Sequence, residues 1–242
     1  MLRTAVMANG GKGNSASCGF FFSLVLLFVG CATASKPVPT PTMNEKPIVQ
    51  AGAEGLRQRA VEVPRERIAT PEFQALVAKM IQTMRAAPGV GLAAPQIGVS
   101  ERVFVLEDRA ELMAALRPEE RAERERVPVP VRVFVNPTVT PVGDAQATFF
   151  EGCLSVDGYS ALVTRYLEVE VKALDENGKP VTWKTRGWPA RILQHEMDHL
   201  NGTLYIDRMH SRSFGTTPQI KARFGSKPIA EVLREFTDTG GR

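Results

Sequence analysis

The chain has 242 residues, of which 43% are apolar and 23% charged, and a formal net charge of +4. This suits one globular domain with appendages, and so mild a charge gives no ground for a dedicated nucleic-acid surface. Of three cysteines, Cys18 and Cys31 fall in the N-terminal stretch and Cys153 stands alone, which excludes a disulfide framework.

Residues 1–44 contain no acid, and Arg3 and Lys12 precede an apolar run from Phe20 to Val29. The run is short for a membrane span and suits the h-region of a signal peptide. Gly30-Cys31 follows, similar to a bacterial lipoprotein cleavage site, although Phe28 stands where leucine is usual. Ala32-Thr33-Ala34 is a rival cleavage site, and an organellar presequence or a start at Met43 are further alternatives. Residues 32–46 are Pro-rich and read as an extended tether. This reading gives a leader (1–31) that lipidates Cys31 or exports the chain, and it leaves the compartment open between membrane and cytoplasm.

The folded part is expected from Pro47. Thr70-Pro71-Glu72 is a helix start, with an N-cap, a proline at the first helical position and an acid in the first turn. Phe73, Leu76, Val77, Met80, Ile81 and Met84 then recur at helical spacing up to Pro88-Gly89. Residues 102–106 and 131–135 read as strands, and the charge-mixed run 117–126 as a solvated helix or loop face. Residues 167–173 alternate strictly, and Asn177-Gly178 turns them into a partner strand at 181–185. A helix is expected from Pro189 to Asn201, stopped by Gly202, and a last helix within 228–236. The pieces suggest an α+β fold: one domain with antiparallel β-sheets packed around a central metal-binding helix.

Gln194-His195-Glu196-Met197-Asp198-His199 contains H-E-x-x-H. On a helix, His195 and His199 lie one turn apart on one face, where two imidazoles grip one transition-metal ion with Glu196 beside it. Trp188, Ile192, His195 and His199 form one stripe and Leu193 and Leu200 another, so the helix reads as buried and its histidines need partners. A catalytic metal takes a third protein ligand, and Cys153 in Glu151-Gly152-Cys153-Leu154-Ser155 is on offer. A lone cysteine is more often a small buried hydrophobe.

Together these motifs and Gly89-Val90-Gly91-Leu92-Ala93-Ala94-Pro95-Gln96 resemble the peptide deformylases. The resemblance spans about 47–214, with residues 204–214 similar to the mitochondrial and plant branch. Residues 215–242 are then a C-terminal extension with a helix. The resemblance implies that Cys153, His195 and His199 hold one divalent ion. It favours Fe2+, with Zn2+, Ni2+ or Co2+ as alternatives that ligand softness also allows. It implies Glu196 as the proton-transfer residue, with the Gln96 amide and the Leu154 N–H stabilising an oxyanion. Val90, Gly91 and Gly152 would hold the substrate main chain, and Ile192 the methionine side chain. Trp188 is either a wall of that pocket or core, and Gln96 alternatively a structural amide. Glu151, Asp198 and Arg165 are candidates to orient the ligands.

The substrates implied are N-formylmethionyl peptides, including nascent chains at the ribosome, handled by a monomer with no specific nucleic-acid partner. Two alternatives differ in class: a zincin-type metallopeptidase, and an envelope-anchored deformylase-like protein that acts on or merely binds formylated peptides.

Overall fold

The computed structural model describes residues 48–237. The leader, the tether and the lipidation expected at Cys31 lie outside the described residues. Helices α1 (Arg65–Ile68) and α2 (Pro71–Ala86) precede strands β1 (Gly91–Ala93) and β2 (Val103–Asp108). Short helices α3 (Ala110–Met113) and α4 (Pro118–Glu123) lead into β3 (Val129–Pro141), β4 (Gln146–Cys153), β5 (Val156–Tyr166), β6 (Glu168–Leu174) and β7 (Pro180–Arg186). Then come α5 (Gly187–Leu200), β8 (Gly215–Thr216), α6 (Thr217–Phe224) and α7 (Ile229–Thr237).

The strands form two antiparallel sheets, one ordered β1-β2-β3-β6-β7 and the other β4-β5-β8. Helix α2 begins as its sequence dictates, with the Thr70 side chain accepting a hydrogen bond from the Phe73 N–H (3.3 Å). Its apolar stripe packs with Val103, Val105, Val133 and Val135 on one face of the larger sheet. Every residue of β2 is buried, because the alternate residues Phe104 and Leu106 fill a second core on the opposite face with Ala190, Ile192 and Leu193 of α5. Helix α5 is therefore covered on one side by the larger sheet. On its other side the smaller sheet contributes Glu151 and Arg165 to contacts with α5. Beyond that sheet, Leu162 packs with Phe224 of α6 and Val232 of α7. Among the described residues no helix is long and apolar enough to cross a membrane.

The fold is the α+β arrangement expected, with four differences of detail. Strand β3 runs well past residue 135, because Thr138–Pro141 keep pairing with β6. Residues on either side of the cysteine motif form the long hairpin β4–β5, for which no strand was expected. The C-terminal extension contains two helices rather than one. In the charge-mixed run α4 has no buried residue, but Arg124 and Arg126 just beyond it turn inward over Trp188. Helix α5 ends at the expected glycine: Gly202 has φ +73°, and a Cβ there would stand 2.5 Å from the Arg57 carbonyl oxygen.

Candidate metal centre

Helix α5 brings His195 and His199 one turn apart, and the end of β4 brings Cys153 to them. One ligand atom from each of the three lies within 4.8 Å of the others, and Cys153 Sγ is 3.3 Å from His199 Nε2. His195 is oriented from behind. Its Nδ1 donates to Glu151 Oε2 (3.0 Å), which fixes the tautomer and turns the Nε2 lone pair towards the cysteine.

A buried ionic network holds Glu151 in place. Arg165 donates to both Glu151 oxygens (2.7 and 2.8 Å) and to Asp198 Oδ2 (2.7 Å). Arg191 adds a bond to Glu151 Oε1 (2.6 Å), and Arg208 donates twice to Asp198 (2.8 Å each). Glu151, Arg165 and Arg191 are all buried. Burial opposes the Glu151 charge, yet the Arg165 guanidinium holds its carboxyl well below the usual range.

The two imidazoles differ. Burial works against a charge on His195, but Cys153 and Glu151 together hold its pKa well above the ordinary value. Burial and the neighbouring His195 push His199 well below it. A thiol and two imidazoles turned to one point, backed by a buried carboxylate, form a donor set for a divalent cation, with one coordination position left for a reactant. The residues present fit such an ion.

Glu196 stands beside this cluster. Burial pushes its carboxyl up to about 7 against the pull of His195 and Arg165, and its Oε2 is buried with no hydrogen-bond partner among the described residues. Gly91, the first residue of β1, explains how it fits. A Cβ on Gly91 would stand 2.2 Å from Glu196 Oε1, and one on Gly89 would stand 2.8 Å from a Leu154 methyl. These glycines make room for protein side chains.

The Gln96 side chain bridges the loop and the cluster. Its Oε1 accepts from the Ala93 N–H (2.8 Å), tying down the loop, while its Nε2 faces Ser155 Oγ (3.3 Å) and Cys153 Sγ (3.6 Å).

A cavity of about 420 Å³ opens onto the cluster, and Val90, Gly91, Gln96, Gly152, Leu154 and Ile192 line it. The Val90 carbonyl also accepts from the Glu107 N–H (3.0 Å). Trp188 is both wall and packing partner: it borders the cavity and meets Phe149 edge-on at 6.3 Å. Of the expected ligand, catalytic and substrate-binding residues, all but His199 line this cavity, and His199 meets the others behind it through Cys153.

Sequence reasoning missed Arg124, Arg126, Tyr159 and Arg191, which also line it. For Arg191 a signal existed, since it precedes His195 by one helical turn. Arg124 and Arg126 gave none, being embedded in alternating charge.

A model of the polypeptide deformylase family matches residues 45–214. The chain is 50% identical over 183 residues to peptide deformylase 1 of Streptomyces coelicolor, covering 75% of this chain and 81% of that protein. It is 47% identical over 173 residues to the chloroplastic peptide deformylase 1A of Solanum lycopersicum, covering 72% of this chain and 62% of that protein. Among solved structures it resembles the Met-Ala-Ser-bound class I type b peptide deformylase from Acinetobacter baumannii. That match has a TM-score of 0.60 and 32% identity, and covers 67% of this chain and 96% of that one. The chain belongs to the polypeptide deformylase family.

Proposed function

We propose that this chain hydrolyses the formyl amide of N-formylmethionyl peptides, releasing formate and a free methionyl amine. The observation that carries the reading is the meeting of Cys153, His195 and His199 within 4.8 Å, next to a buried carboxylate, Glu196, with an unpartnered oxygen. A divalent ion held by the three residues supplies Lewis acidity, which lowers the pKa of water and polarises a carbonyl. The resemblance favours Fe2+ in that role, over Zn2+, Ni2+ or Co2+.

The remaining chemistry belongs to the chain. Glu196, made more basic by burial, takes the proton of the attacking water. It returns that proton to the amine nitrogen as the formyl C–N bond breaks. In this reading the Gln96 amide and the Leu154 N–H would hold the developing oxyanion. β1 and β4 are edge strands of their sheets, and residues beside and within them border the cavity. An extended peptide laid between the two edges would find main-chain partners near Val90, Gly91 and Gly152. Its methionine side chain would lie against Ile192 and Trp188.

The test is formate release from formyl-Met-Ala-Ser by the full chain loaded with each of the four metals. Turnover with Fe2+ exceeding that with Zn2+ supports the metal assignment, and no turnover with any of them would refute the activity.

The apolar run before Gly30-Cys31 favours a second reading, of place rather than chemistry. In it the enzyme is lipidated at Cys31 and meets formylated peptides at a membrane instead of at the ribosome. Intact mass of the protein from membrane and soluble fractions separates the two.

A further inference from the structure

A second cavity, of about 350 Å³, adjoins the catalytic one, and Arg124, Phe150, Glu151, Gly152 and Thr217 border both. Its far wall is built by Ile220 and Phe224 of α6 and Ile229 and Val232 of α7. These residues lie beyond 214, where the family match ends.

The segment is fixed to the body. Phe150 of β4 stacks on Phe224 (5.5 Å), and Ser160 and Thr217 share a hydroxyl hydrogen bond (2.8 Å). The Ile229 N–H donates to Glu123 (2.9 Å), so α7 is tied to α4. Several charged groups at the rim are already engaged: Arg124 with Glu120 (2.8 Å), and Lys227 with Glu231 and Glu235. What the cavity offers a newcomer is mainly apolar surface.

We propose that this cavity is an additional substrate subsite, made by the C-terminal segment. It takes a large apolar side chain, aromatic or branched aliphatic, from a residue downstream of the formylmethionine. The occupant follows from continuity. A peptide leaving the catalytic cavity along the edge of β4 passes Gly152 and Phe150, which border both spaces. The inference rests on the deformylase reading above and specifies which peptides that activity prefers.

The test uses the full, metal-loaded chain and peptides in which glycine, alanine, leucine or phenylalanine is placed in turn at the second, third and fourth positions after formyl-Met. Ile220 lines only the second cavity, so I220W fills the space and I220A enlarges it, while the basal rate on formyl-Met-Ala stays at the wild-type value. At one position, wild-type kcat/KM for leucine or phenylalanine should exceed that for glycine by about tenfold or more, as burial of a few methylenes implies. I220W should erase that preference and I220A should move it towards phenylalanine.

A second readout needs no turnover: the affinity of the unformylated product peptides, by calorimetry, should change in the same order. Melting curves establish that each variant folds, and I220A carries the test should I220W not fold. A flat wild-type preference, or a preference unchanged in a folded variant, overturns the subsite and leaves the deformylase reading intact. Absence of formate from every peptide, formyl-Met-Ala included, overturns both.

Discussion

Gly91 and Glu196 compete for one small volume: a Cβ at position 91 would stand 2.2 Å from Oε1 of the carboxylate and 2.7 Å from its carbon. A side chain at position 91 is therefore accommodated only if the Glu196 carboxylate, the proposed proton-transfer group, moves from its place. In G91A the carboxylate must swing away, and kcat should fall by about 10²-fold or more, the scale of misplaced acid–base catalysis, with metal content retained. E196A should lose a similar or larger factor, again with the metal in place. Metal analysis beside formate release reads both, and a fully active G91A would show that Glu196 moves without consequence.

Cys153 decides between this reading and a zincin-type metallopeptidase, which needs only the two histidines and a different third ligand. C153S should lose most of its bound metal under competition from a chelator, and with it formate release. Undiminished metal affinity in C153S would remove cysteine from the ligand set and favour the metallopeptidase.

Glu151 receives hydrogen bonds from Arg165, Arg191 and His195 at once. Replacing it with glutamine leaves two buried guanidinium groups short of a counter-charge. The expected cost is about 3–5 kcal/mol of stability, measured by urea unfolding, and roughly a 10- to 100-fold loss of metal affinity as His195 loses its orienting partner. If E151Q matched the wild type in both, the network would be ornamental.

Arg85 of α2 donates twice to Glu107 of β2 (2.7 and 2.8 Å), and this hydrogen bonding lowers the Glu107 pKa although burial opposes it. A depressed folded-state pKa contributes stability that is complete above the unfolded value, about 4.3. That stability is lost as pH falls through the lower folded value. Acid titration of the melting temperature should therefore be shallower in E107Q than in the wild type below that pH and parallel to it at neutrality. Superimposable acid limbs would show that the pair carries no such linkage.

Periodicity made the two principal helices and the 167–185 hairpin legible, because helical and strand spacings are written in consecutive residues. The H-E-x-x-H spacing likewise placed His195, Glu196 and His199 together, since one turn of helix does that by itself. Cys153 was on offer as a third ligand but was assigned only by resemblance, and Gln96 came from resemblance alone, as nothing local says that a residue 42 positions before His195 reaches it. Arg165 was one candidate among several until β5 carried it against α5.

By itself the sequence determined the two principal helices, the 167–185 hairpin and the chemistry that a His-Glu-His face can support. Only the tertiary structure decided which distant side chains complete that face, that Gly91 leaves room for the Glu196 carboxylate, and that Arg124 and Arg126 turn inward. It also decided that the segment after residue 214 walls a second cavity. The physical reason is that helical and strand periods arise from neighbouring residues. Which side chains share a cavity depends instead on how two sheets close over one helix, and that is settled by long-range packing.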